Sequence, residues 1–571
     1  MTAIPAHPCQ PRSVATAVLL AHLAVGASAA GQGVASVSRA SDGGEANGAS
    51  TSRSLSGNGE LVAFSSLASD LLPVDGNGTS DVFVRNRATG ELTLVSANLS
   101  GLPGNGASSA PALSGDGLFC AFVSSASDLV VGDVNGKQDV FLRDLMAGTT
   151  VLVSVSTAGA QGDGDSSGPW VDWDGDTVAF ASLARNLVFN DKNTFQDIFV
   201  REVAAATTTR VSVSSAGVEG NGKSLRATLT HDGLLVSFAS AAANLVSGDG
   251  NNRSDCFVHD RASSTTTRVS VANAGHGGND NSGDPEISGD GSVVVFDSVA
   301  DNLVAGDTNR DSDVFLHDRA TATTVRISVD DAGNEVDLDS VEASVSTDGN
   351  LICFASEATA LVPGDANGVA DVFVVERDRG LIYRISIAVD GTEADAACNN
   401  PQICNDGYVA IFESTATTLT SGDAGGVRDV FAHATPEVRF TEYGSGLAGS
   451  GGYVPRLAGT GGRGNGDAGY SVAITDGIGF APGLLIVAGE AASFPLFQGT
   501  GLVDFGLLIA TVPVLLGGPF GTPGAGTLPL DGVDVTEEVD LAVFAQVLLV
   551  DAGAPKGISL TNGLQLDIVG R

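Results

Sequence analysis

The feature that most constrains this chain is a repeat that returns every 58 residues without insertion or deletion. A tripeptide Asp-(Val/Ile/Cys)-Phe begins seven times, at Asp81, Asp139, Asp197, Asp255, Asp313, Asp371 and Asp429. A Phe-x-Ser pattern keeps the same period and ends at Ser66, Ser124, Ser182, Ser240, Ser298, Ser356 and Ser414. Spacing this strict indicates seven similar structural units stacked in a closed array.

One repeat contains four short strand patterns separated by turns. Between Ser108 and Val155 they are SSAPALSGDG, LFCAFVSS, DVFLRD and TTVLVSV. Their near-continuous apolar runs are typical of strands covered on both faces. No helical periodicity is sustained beyond the first 30 residues. The sequence therefore predicts an all-β chain in which seven four-stranded blades form a β-propeller over residues 31–436.

The repeat pattern also resembles a known family. The order S-x-D-G-x-x-V-x-F-x-S, then D-V-F-V-x-D, then T-x-R-V-S is similar to the TolB-type, WD-like propeller repeat of exported bacterial proteins. The likeness covers about residues 34–435 and departs from the common TolB form where Ser-Gly-Asp-Gly or Ser-Thr-Asp-Gly replaces Pro-Asp-Gly. It implies the propeller fold, and that fold hosts unrelated activities.

The two ends of the propeller are predicted to pair. An outer-strand Val-Ser or Ile-Ser motif recurs from Val95-Ser96 to Ile385-Ser386. One period earlier stands Val37-Ser38, whereas one period later Tyr443-Gly444 breaks the motif. We expect the N-terminal strand GVASVS to complete the last blade, which would otherwise leave two open sheet edges.

Two segments lie outside the repeat. Residues 1–30 have a charged start, an apolar run and small residues at Ala27-Ser28-Ala29, the pattern of a signal peptide. Residues 437–571 have strand-like runs such as GLLIVAG and DLAVFAQVLLV, which predict a C-terminal β-sandwich. This part loosely resembles a glycine-rich module of exported bacterial proteins, and surface attachment is one hypothesis for it. No transmembrane helix is predicted.

Charge narrows the classes of partner. Acidic residues outnumber basic ones 67 to 28, which gives a formal net charge of −39. Such a chain repels phosphate backbones, so nucleic acid is excluded as a partner. Together with the signal peptide, the acidity predicts a secreted, periplasmic or cell-surface protein with a potential association with the cell envelope.

Cysteines beyond the signal peptide fall into two groups. Cys120, Cys256 and Cys353 stand alone in apolar strand patterns, where buried free thiols are expected. Cys398 and Cys404 flank a short polar segment, so a disulfide between them is one alternative in an oxidising compartment.

An Asp-x-Asn-x-x-x-Asp motif precedes the third strand of six repeats and supplies three oxygen-bearing side chains, as a Ca²⁺ loop requires. An Asn or Asp of the Asn47 type also recurs in the blade-to-blade loops, and we expect it to converge on this motif. The candidate metal ligands are Asp75, Asn77, Asp81, Asp133, Asn135, Asp139, Asp191, Asn193, Asp197, Asp249, Asn251, Asp255, Asp307, Asn309, Asp313, Asp365, Asn367 and Asp371.

The same motif can also be interpreted as a structural turn that binds no metal. Asp and Asn close turns by accepting backbone N–H groups, and Gly follows them where φ is positive. The fifth position, which should donate oxygen to calcium, holds residues such as Lys137, Phe195 and Arg253. Both readings, calcium loops and structural turns, remain open at this stage.

Catalytic motifs are sparse. Ser166 in GDSSG fits a nucleophile pattern, but it recurs every 58 residues as part of the repeated turn. His259, His317 and His433 occupy one position on three different blades, so we expect ordinary strand histidines. The arginines Arg210, Arg268, Arg326 and Arg384 are expected to pair with carboxylates on solvated edges.

The sequence as a whole predicts an exported, non-catalytic binding or scaffold protein, with calcium as its only candidate cofactor. Its expected ligand is a protein or a polysaccharide, recognised by the long loops between the second and third strands. Two alternatives are a polysaccharide lyase or hydrolase with its site in the propeller channel, and a purely structural cell-surface component.

Overall fold

A computed structural model describes residues 34–434 of the chain, apart from 41–42, 74, 331, 379 and 424, and beyond residue 434 only separate strands. The predicted signal peptide over residues 1–30 lies outside the described residues. Every regular element that is described is a β-strand, as the sequence predicts.

Seven four-stranded antiparallel sheets follow one another along the chain, one for each repeat. The first strand is β1 (Val34–Ser36), and blades 1 to 3 contain β2 (Ser50–Leu55), β3 (Leu61–Ser66), β4 (Asp81–Asn86), β5 (Leu92–Leu94), β6 (Ser108–Leu113), β7 (Phe119–Ser124), β8 (Asp139–Asp144), β9 (Thr149–Leu152), β10 (Ser166–Val171), β11 (Thr177–Ser182), β12 (Asp197–Glu202) and β13 (Thr207–Arg210). Blades 4 to 7 contain β14 (Ser224–Leu229), β15 (Leu235–Ser240), β16 (Asp255–Asp260), β17 (Thr265–Arg268), β18 (Ser282–Ile287), β19 (Val293–Ser298), β20 (Asp313–Asp318), β21 (Thr323–Arg326), β22 (Ser340–Val345), β23 (Leu351–Ser356), β24 (Asp371–Glu376), β25 (Leu381–Arg384), β26 (Cys398–Ile403), β27 (Val409–Ser414) and β28 (Asp429–Ala434). The chain is thus a seven-bladed β-propeller, and this prediction is confirmed.

The repeated phenylalanines form the centre of each blade. The Phe of Phe-x-Ser and the Phe of Asp-Val-Phe stand opposite each other on adjacent strands, as Phe64 and Phe83 do. The two rings lie 5.8 Å apart in that pair, and the other six blades repeat the contact. Because these rings are almost fully buried in every blade, the period seen in the sequence is a period of core packing.

The repeated aspartate and serine hold each blade's outer strand. In blade 3, Ser212 Oγ donates to the buried Asp197 carboxylate at 2.5 Å and accepts the Ile198 N–H at 3.1 Å. The same pair of bonds recurs in all seven blades. A buried carboxylate needs such donors, which explains why Asp-Val-Phe and Val-Ser keep the same period.

The ring is closed by the N-terminal strand. Strand β1 pairs antiparallel with β28, with Ala35 opposite Ala432. Ser38 Oγ donates to Asp429 at 2.5 Å and accepts the Val430 N–H at 3.0 Å, as its counterparts do in the other blades. The predicted closure of the last blade by residues near Val37-Ser38 is confirmed.

One end of the central channel is surrounded by a ring of backbone hydrogen bonds. A single N–H to C=O bond of 2.7–3.2 Å joins each blade to the next around the axis. We call the residues at this level the axial ring: Gly57, Gly115, Trp173, His231, Gly289, Thr347 and Asn405. Glycine is required next to the aromatic side chains of Trp173 and His231. For example, a Cβ on Gly115 would lie 2.2 Å from the Trp173 side chain.

Strands are also placed in the C-terminal part: β29 (Glu437–Tyr443), β30 (Arg456–Thr460), β31 (Ser471–Gly477), β32 (Pro482–Ala488), β33 (Ala491–Leu496), β34 (Gly499–Val503), β35 (Leu508–Leu515), β36 (Gly526–Asp531), β37 (Leu541–Val550), β38 (Ile558–Leu560) and β39 (Gly563–Val569). They pair into sheets of six, three and two strands. The packing of these sheets into a sandwich stays a prediction. Within the described parts of the chain, we find no helix with the length and apolarity needed to cross a bilayer.

The cysteines of the propeller are free and buried. Cys398 begins β26 and Cys404 follows its end, so an extended strand of about 3.3 Å per residue keeps the two thiols far apart. The disulfide considered between Cys398 and Cys404 therefore does not form.

Candidate functional site

The innermost strand of each blade carries a bulge close to the propeller axis. Its pairing with the second strand is interrupted at the same repeat position in all seven blades. In six blades the bulge contains a residue in the left-handed region, with φ between 44° and 59°: Ala110, Gly168, Arg226, Asp284, Glu342 and Asn400. Five of the six are not glycine, and each such residue costs about 1 kcal/mol of backbone strain. Bulges re-aim side chains, and here they bring six residues around the axis.

These six residues line an axial cavity of about 450 Å³, which we call the axial pocket. Its walls combine apolar surfaces from Pro169, Trp170 and Pro285 with polar side chains such as Gln196 and Gln402. The axial ring lies beyond the other end of the same innermost strands. The side chains of Arg226 and Asp284 are 45% and 27% exposed, so the pocket is open to solvent at its own end.

Carboxyl groups dominate the charge of the pocket. Asp284, Glu286 and Glu342 line it, and Arg226 is the one cation among the described residues that do so. Arg226 Nε lies 2.9 Å from Asp284 Oδ1. Asp297 stands on β19 opposite Gly283, next to the pocket, and its buried Oδ1 has no hydrogen-bond partner among the described residues. Burial, together with the nearby Asp284 carboxylate, raises the pKa of Asp297 to about 7.

Glu286 also serves the fold. Its Oε1 accepts the Ser344 hydroxyl at 2.8 Å and the Val345 N–H at 2.9 Å, which joins blade 5 to blade 6. Ser54, Thr228 and Ser344 accept the equivalent N–H in other blades. Burial raises the pKa of Glu286 to about 7 even though these donors favour the ionised form.

The asparagine of the Asp-x-Asn-x-x-x-Asp motif is already bonded on both sides of its amide. Asn135 Oδ1 accepts the Lys137 N–H at 2.9 Å, and Asn135 Nδ2 donates to Asp139 Oδ2 at 2.7 Å and to the Gly162 carbonyl at 3.1 Å. A carbonyl only accepts and a backbone N–H only donates, which fixes this amide orientation. The same three bonds recur at Asn77, Asn193, Asn251, Asn309 and Asn367.

The structure therefore brings the two aspartates of each motif together but turns the asparagine oxygen away from them. That hydrogen-bonding pattern is the one expected for a structural turn. The assignment of these residues to a metal stays a prediction, now restricted to their carboxylates.

In blades 3 to 6 an arginine N–H group lies between these carboxylates. Arg326 Nη1 is 3.7 Å from Asp307, 3.0 Å from Asp313 and 2.8 Å from Glu335. Arg210 and Arg384 make the same three ion pairs, whereas Arg268 makes two because Gly277 replaces the glutamate. The side chains of these arginines are only 7–11% exposed. The predicted pairing with carboxylates is confirmed, but the predicted position on a solvated edge was wrong, because these side chains are largely buried.

The glutamate in these clusters was missed by the sequence reasoning. One position of the 58-residue repeat, two residues before the Asn47-type position, holds Glu45, Glu219, Glu335 and Glu393. The Asn47-type residues instead cap the adjacent loop: Asn47 Oδ1 accepts the Ser69 N–H at 2.9 Å. The recurrence of Glu at a fixed period was the signal available.

Blades 1, 2 and 7 have no arginine at this position, which holds Leu94, Leu152 and Ser36. In blade 7 the carboxylates of Glu45, Asp423 and Asp429 approach one another closely enough to share a cation. Burial, with Glu45 beside it, raises the pKa of Asp423 to about 6. Two further trios, Asp191 with Asp197 and Glu219 and Asp307 with Asp313 and Glu335, lie equally close together, but an arginine N–H group lies between their carboxylates. Metal binding stays a prediction, and the acidic groups without such an arginine are those of blades 1, 2 and 7.

The remaining sequence candidates have structural roles. Ser166 is buried and donates to Ser182 Oγ at 2.9 Å, so it is part of the repeated turn. His259 and His317 each contact a threonine on their own blade, at 2.8 and 3.0 Å. Burial lowers the pKa of both histidines and of His433.

Comparison with solved structures returns β-propellers. A putative TolB from Agrobacterium tumefaciens is 15% identical, with a TM-score of 0.30 over 48% of this chain and 79% of that one. A prolyl endopeptidase is 12% identical, with a TM-score of 0.41 over 76% of this chain and 56% of that one. The Dos1 propeller is 11% identical, with a TM-score of 0.36 over 68% and 93%. At such identities the likeness concerns the fold alone. No family model and no curated protein matches the chain.

Proposed function

We propose that the chain is a non-catalytic binding protein that holds its ligand in the axial pocket. The observation that carries this proposal is the pocket itself, whose walls depart from the repeat. Blades 2 and 3 have Ala110 and Gly168 at the bulge, whereas blades 4 to 7 have Arg226, Asp284, Glu342 and Asn400. A fold that tolerates Ala and Gly at this position does not need four strained polar residues, and strain of this kind is often retained at functional sites.

The size and chemistry of the pocket agree with recognition of a small ligand or of a group presented by a larger one. About 450 Å³ lies within the usual range of about 300–1,000 Å³ for ligand pockets. The long loops between second and third strands approach the same end, since Gln196 at the end of one loop lines the pocket. A protein or polysaccharide partner would therefore contact loops and pocket together. The signal-peptide pattern over residues 1–30 supports a site of action outside the cytoplasm, in the periplasm, at the cell envelope or in the medium.

Filling the pocket tests this proposal. We expect Gly168→Arg to abolish ligand binding, because Arg226 occupies the same position on the next blade with the same backbone conformation. The measurement is a thermal-shift screen of glycans, peptides and amines against the parent protein and the variant. At about 100 times its Kd a ligand adds about 2.7 kcal/mol of stability. Compounds that raise the melting temperature of both proteins equally, or of neither, would contradict pocket binding; Gly168→Ala controls for backbone strain.

One observation favours a second candidate, a polysaccharide lyase or hydrolase in the channel. Burial raises the pKa of both Glu286 and Asp297 to about 7, so each carboxyl is suited to exchange a proton near neutral pH. Glu286 Oε1, however, already accepts hydrogen bonds from Ser344 and Val345, which join two blades. Release of new reducing ends or unsaturated sugars from a polysaccharide panel, lost in Asp297→Ala, would establish this candidate instead.

Calcium stabilisation is a further part of the proposal, confined to the blades that lack the arginine. The aspartates there are Asp75 and Asp81 in blade 1, Asp133 and Asp139 in blade 2, and the trio with Glu45 in blade 7. We expect excess chelator to lower the melting temperature by a few degrees, since a ligand of the folded state stabilises it by mass action. The measurement is a melting curve with and without added Ca²⁺. Identical melting curves would contradict calcium binding and would support the interpretation of these motifs as structural turns.

A further inference from the structure

The wall of the axial pocket formed by blades 5 and 6 is more acidic than the repeat requires. At the position of Asp297, three other blades have alanine: Ala181, Ala239 and Ala355. Ala181 lines the pocket, which shows where a side chain at this position is directed. At the bulge, Asp284 and Glu342 replace the Ala110 and Gly168 of earlier blades. Three carboxylates, those of Asp284, Asp297 and Glu342, thus surround one side of the axial pocket. Other blades have alanine or glycine at the same repeat positions, so the fold does not require these acidic residues.

The negative charge of this region is not neutralised within the described residues. Arg226 pairs with Asp284 at 2.9 Å, and Glu342 Oε2 accepts the Asn400 N–H at 2.6 Å. Asp297 Oδ1, although buried, has no partner there. An unpaired buried carboxylate is costly unless a cation or a donor reaches it. Within that part of the chain Asp297 Oδ1 therefore lacks a hydrogen-bond donor, and beside the carboxylates of Asp284 and Glu342 a positively charged donor satisfies it best.

We infer that the axial pocket recognises a positively charged nitrogen group, an ammonium or guanidinium, seated against Asp297, Asp284 and Glu342. The inference rests on the proposed function and specifies the ligand chemistry. Such a group donates several N–H bonds and satisfies carboxylates arranged around it. Pro169, Trp170 and Pro285 supply an apolar wall for the carbon chain that bears the charge. The net charge of −39 would steer cations towards the protein.

The pH dependence of binding follows from the groups around Asp297. Those that face it are Asp284, Glu342 and Arg226, with the buried Cys256 thiol on β16. Because burial and Asp284 raise the pKa of Asp297 to about 7, the carboxyl is neutral at lower pH and ionised above it. A cation should therefore bind more tightly near pH 8 than near pH 5.5.

Titration calorimetry with agmatine, which carries both an ammonium and a guanidinium, tests the inference on the full chain. We expect Asp297→Ala to weaken binding by about tenfold or more. Its fold should be preserved, since alanine stands there in three blades, and the melting temperature checks this. Asp174→Asn, an exposed carboxylate at the far end of the propeller, is the matched control for net charge. A peptide acetyl-Gly-Arg-Gly-amide distinguishes a side chain of a partner protein from a free amine.

A charge-swapped pair at Gly168 separates this inference from the proposed function. Gly168→Arg and Gly168→Glu fill the pocket to a similar extent with opposite charges, and both residue types occur at equivalent positions, Arg226 and Glu342. Because the two variants reduce the space similarly, a cationic ligand should be weakened much more by arginine than by glutamate. No binding of agmatine or the peptide up to about 10 mM near pH 8, or equal affinity in Asp297→Ala, overturns the inference. A neutral ligand excluded by both Gly168 variants overturns it too, yet leaves the proposed binding function intact.

Discussion

A chain that starts at Arg39 is expected to have a free energy of unfolding about 4 kcal/mol lower than that of a chain that starts at Gly33. The shorter chain lacks β1, the strand that closes the ring. Val34 and Val37 are each only 5% exposed, and burial of one valine stabilises a fold by about 1.5–2 kcal/mol. The Val37 N–H to Val430 carbonyl bond of 2.7 Å is lost as well, together with the hydroxyl that serves the buried Asp429. Neither chain contains the predicted signal peptide, so the comparison isolates β1.

Urea denaturation of the two chains measures this difference. The shorter chain should also self-associate in size-exclusion chromatography, since β28 then offers an unpaired edge along Phe431, Ala432 and His433. Ser38→Ala separates the hydroxyl from the strand, and Ser212→Ala is its control at the same repeat position in blade 3. Each serine variant should lose about 1–3 kcal/mol, because a buried N–H and a carboxylate lose a partner. Equal stability of the two truncated chains would mean that β1 does not hold the ring.

Closure of the ring could be predicted from the sequence because it follows from counting. The Val-Ser motif has a copy at Val37-Ser38 and none at Tyr443-Gly444, so the missing outer strand had to come from the N-terminal side. The structure adds the reason that the motif is kept, namely the bond from each serine to a buried aspartate. Blade number and strand order followed from the same period.

The sites were predictable only in part, since they depend on contacts between repeats. The motif aspartates were identified, but the orientation of Asn135 depends on the Gly162 carbonyl in the next connection. The axial pocket depends on a bulge that places non-glycine residues such as Asp284 in the left-handed region. Sequence rules expect glycine at such angles, so no pattern marked those positions. Comparing the same position across all seven repeats would have shown Arg226, Asp284 and Glu342 as departures.

Replacement of Arg326 by leucine, the residue of blades 1 and 2 at this position, is expected to lower the free energy of unfolding by about 3 kcal/mol near pH 8. Asp307 and Asp313, 5% and 1% exposed in their side chains, would lose the cation that lies between them and Glu335. Even beside Arg326, burial raises the pKa of Asp307 to about 6. Although burial acts in the opposite direction, hydrogen bonds from Thr308 and Arg326 lower the pKa of Glu335 to about 2. Without the arginine, all three carboxyls are expected to have a higher pKa.

These pKa shifts determine how the loss of stability in Arg326→Leu depends on pH. A carboxyl whose pKa is higher in the folded than in the unfolded chain destabilises the fold increasingly as the pH rises from the unfolded pKa to the folded pKa, and the effect is constant above the folded pKa. For Asp307 and Asp313 the deficit of Arg326→Leu should therefore grow between about pH 5 and pH 8, because their pKa is already raised in the parent protein. The part of the deficit that comes from Glu335, whose pKa is low in the parent protein, should already be present at pH 5. Urea denaturation at several pH values measures it. Arg268→Leu is the matched control: among the described residues that arginine pairs with Asp249 and Asp255 alone, so its deficit should be smaller.

Calcium extends the same experiment into a test of what the arginine does. If Arg326 acts as a built-in cation, removing it leaves three carboxylates within reach of one another, as Glu45, Asp423 and Asp429 are in blade 7. Added Ca²⁺ should then restore part of the lost stability in Arg326→Leu and much less in Arg268→Leu, where a third carboxylate is absent because residue 277 is glycine. A deficit that is independent of both pH and Ca²⁺ would assign the arginine a packing role alone.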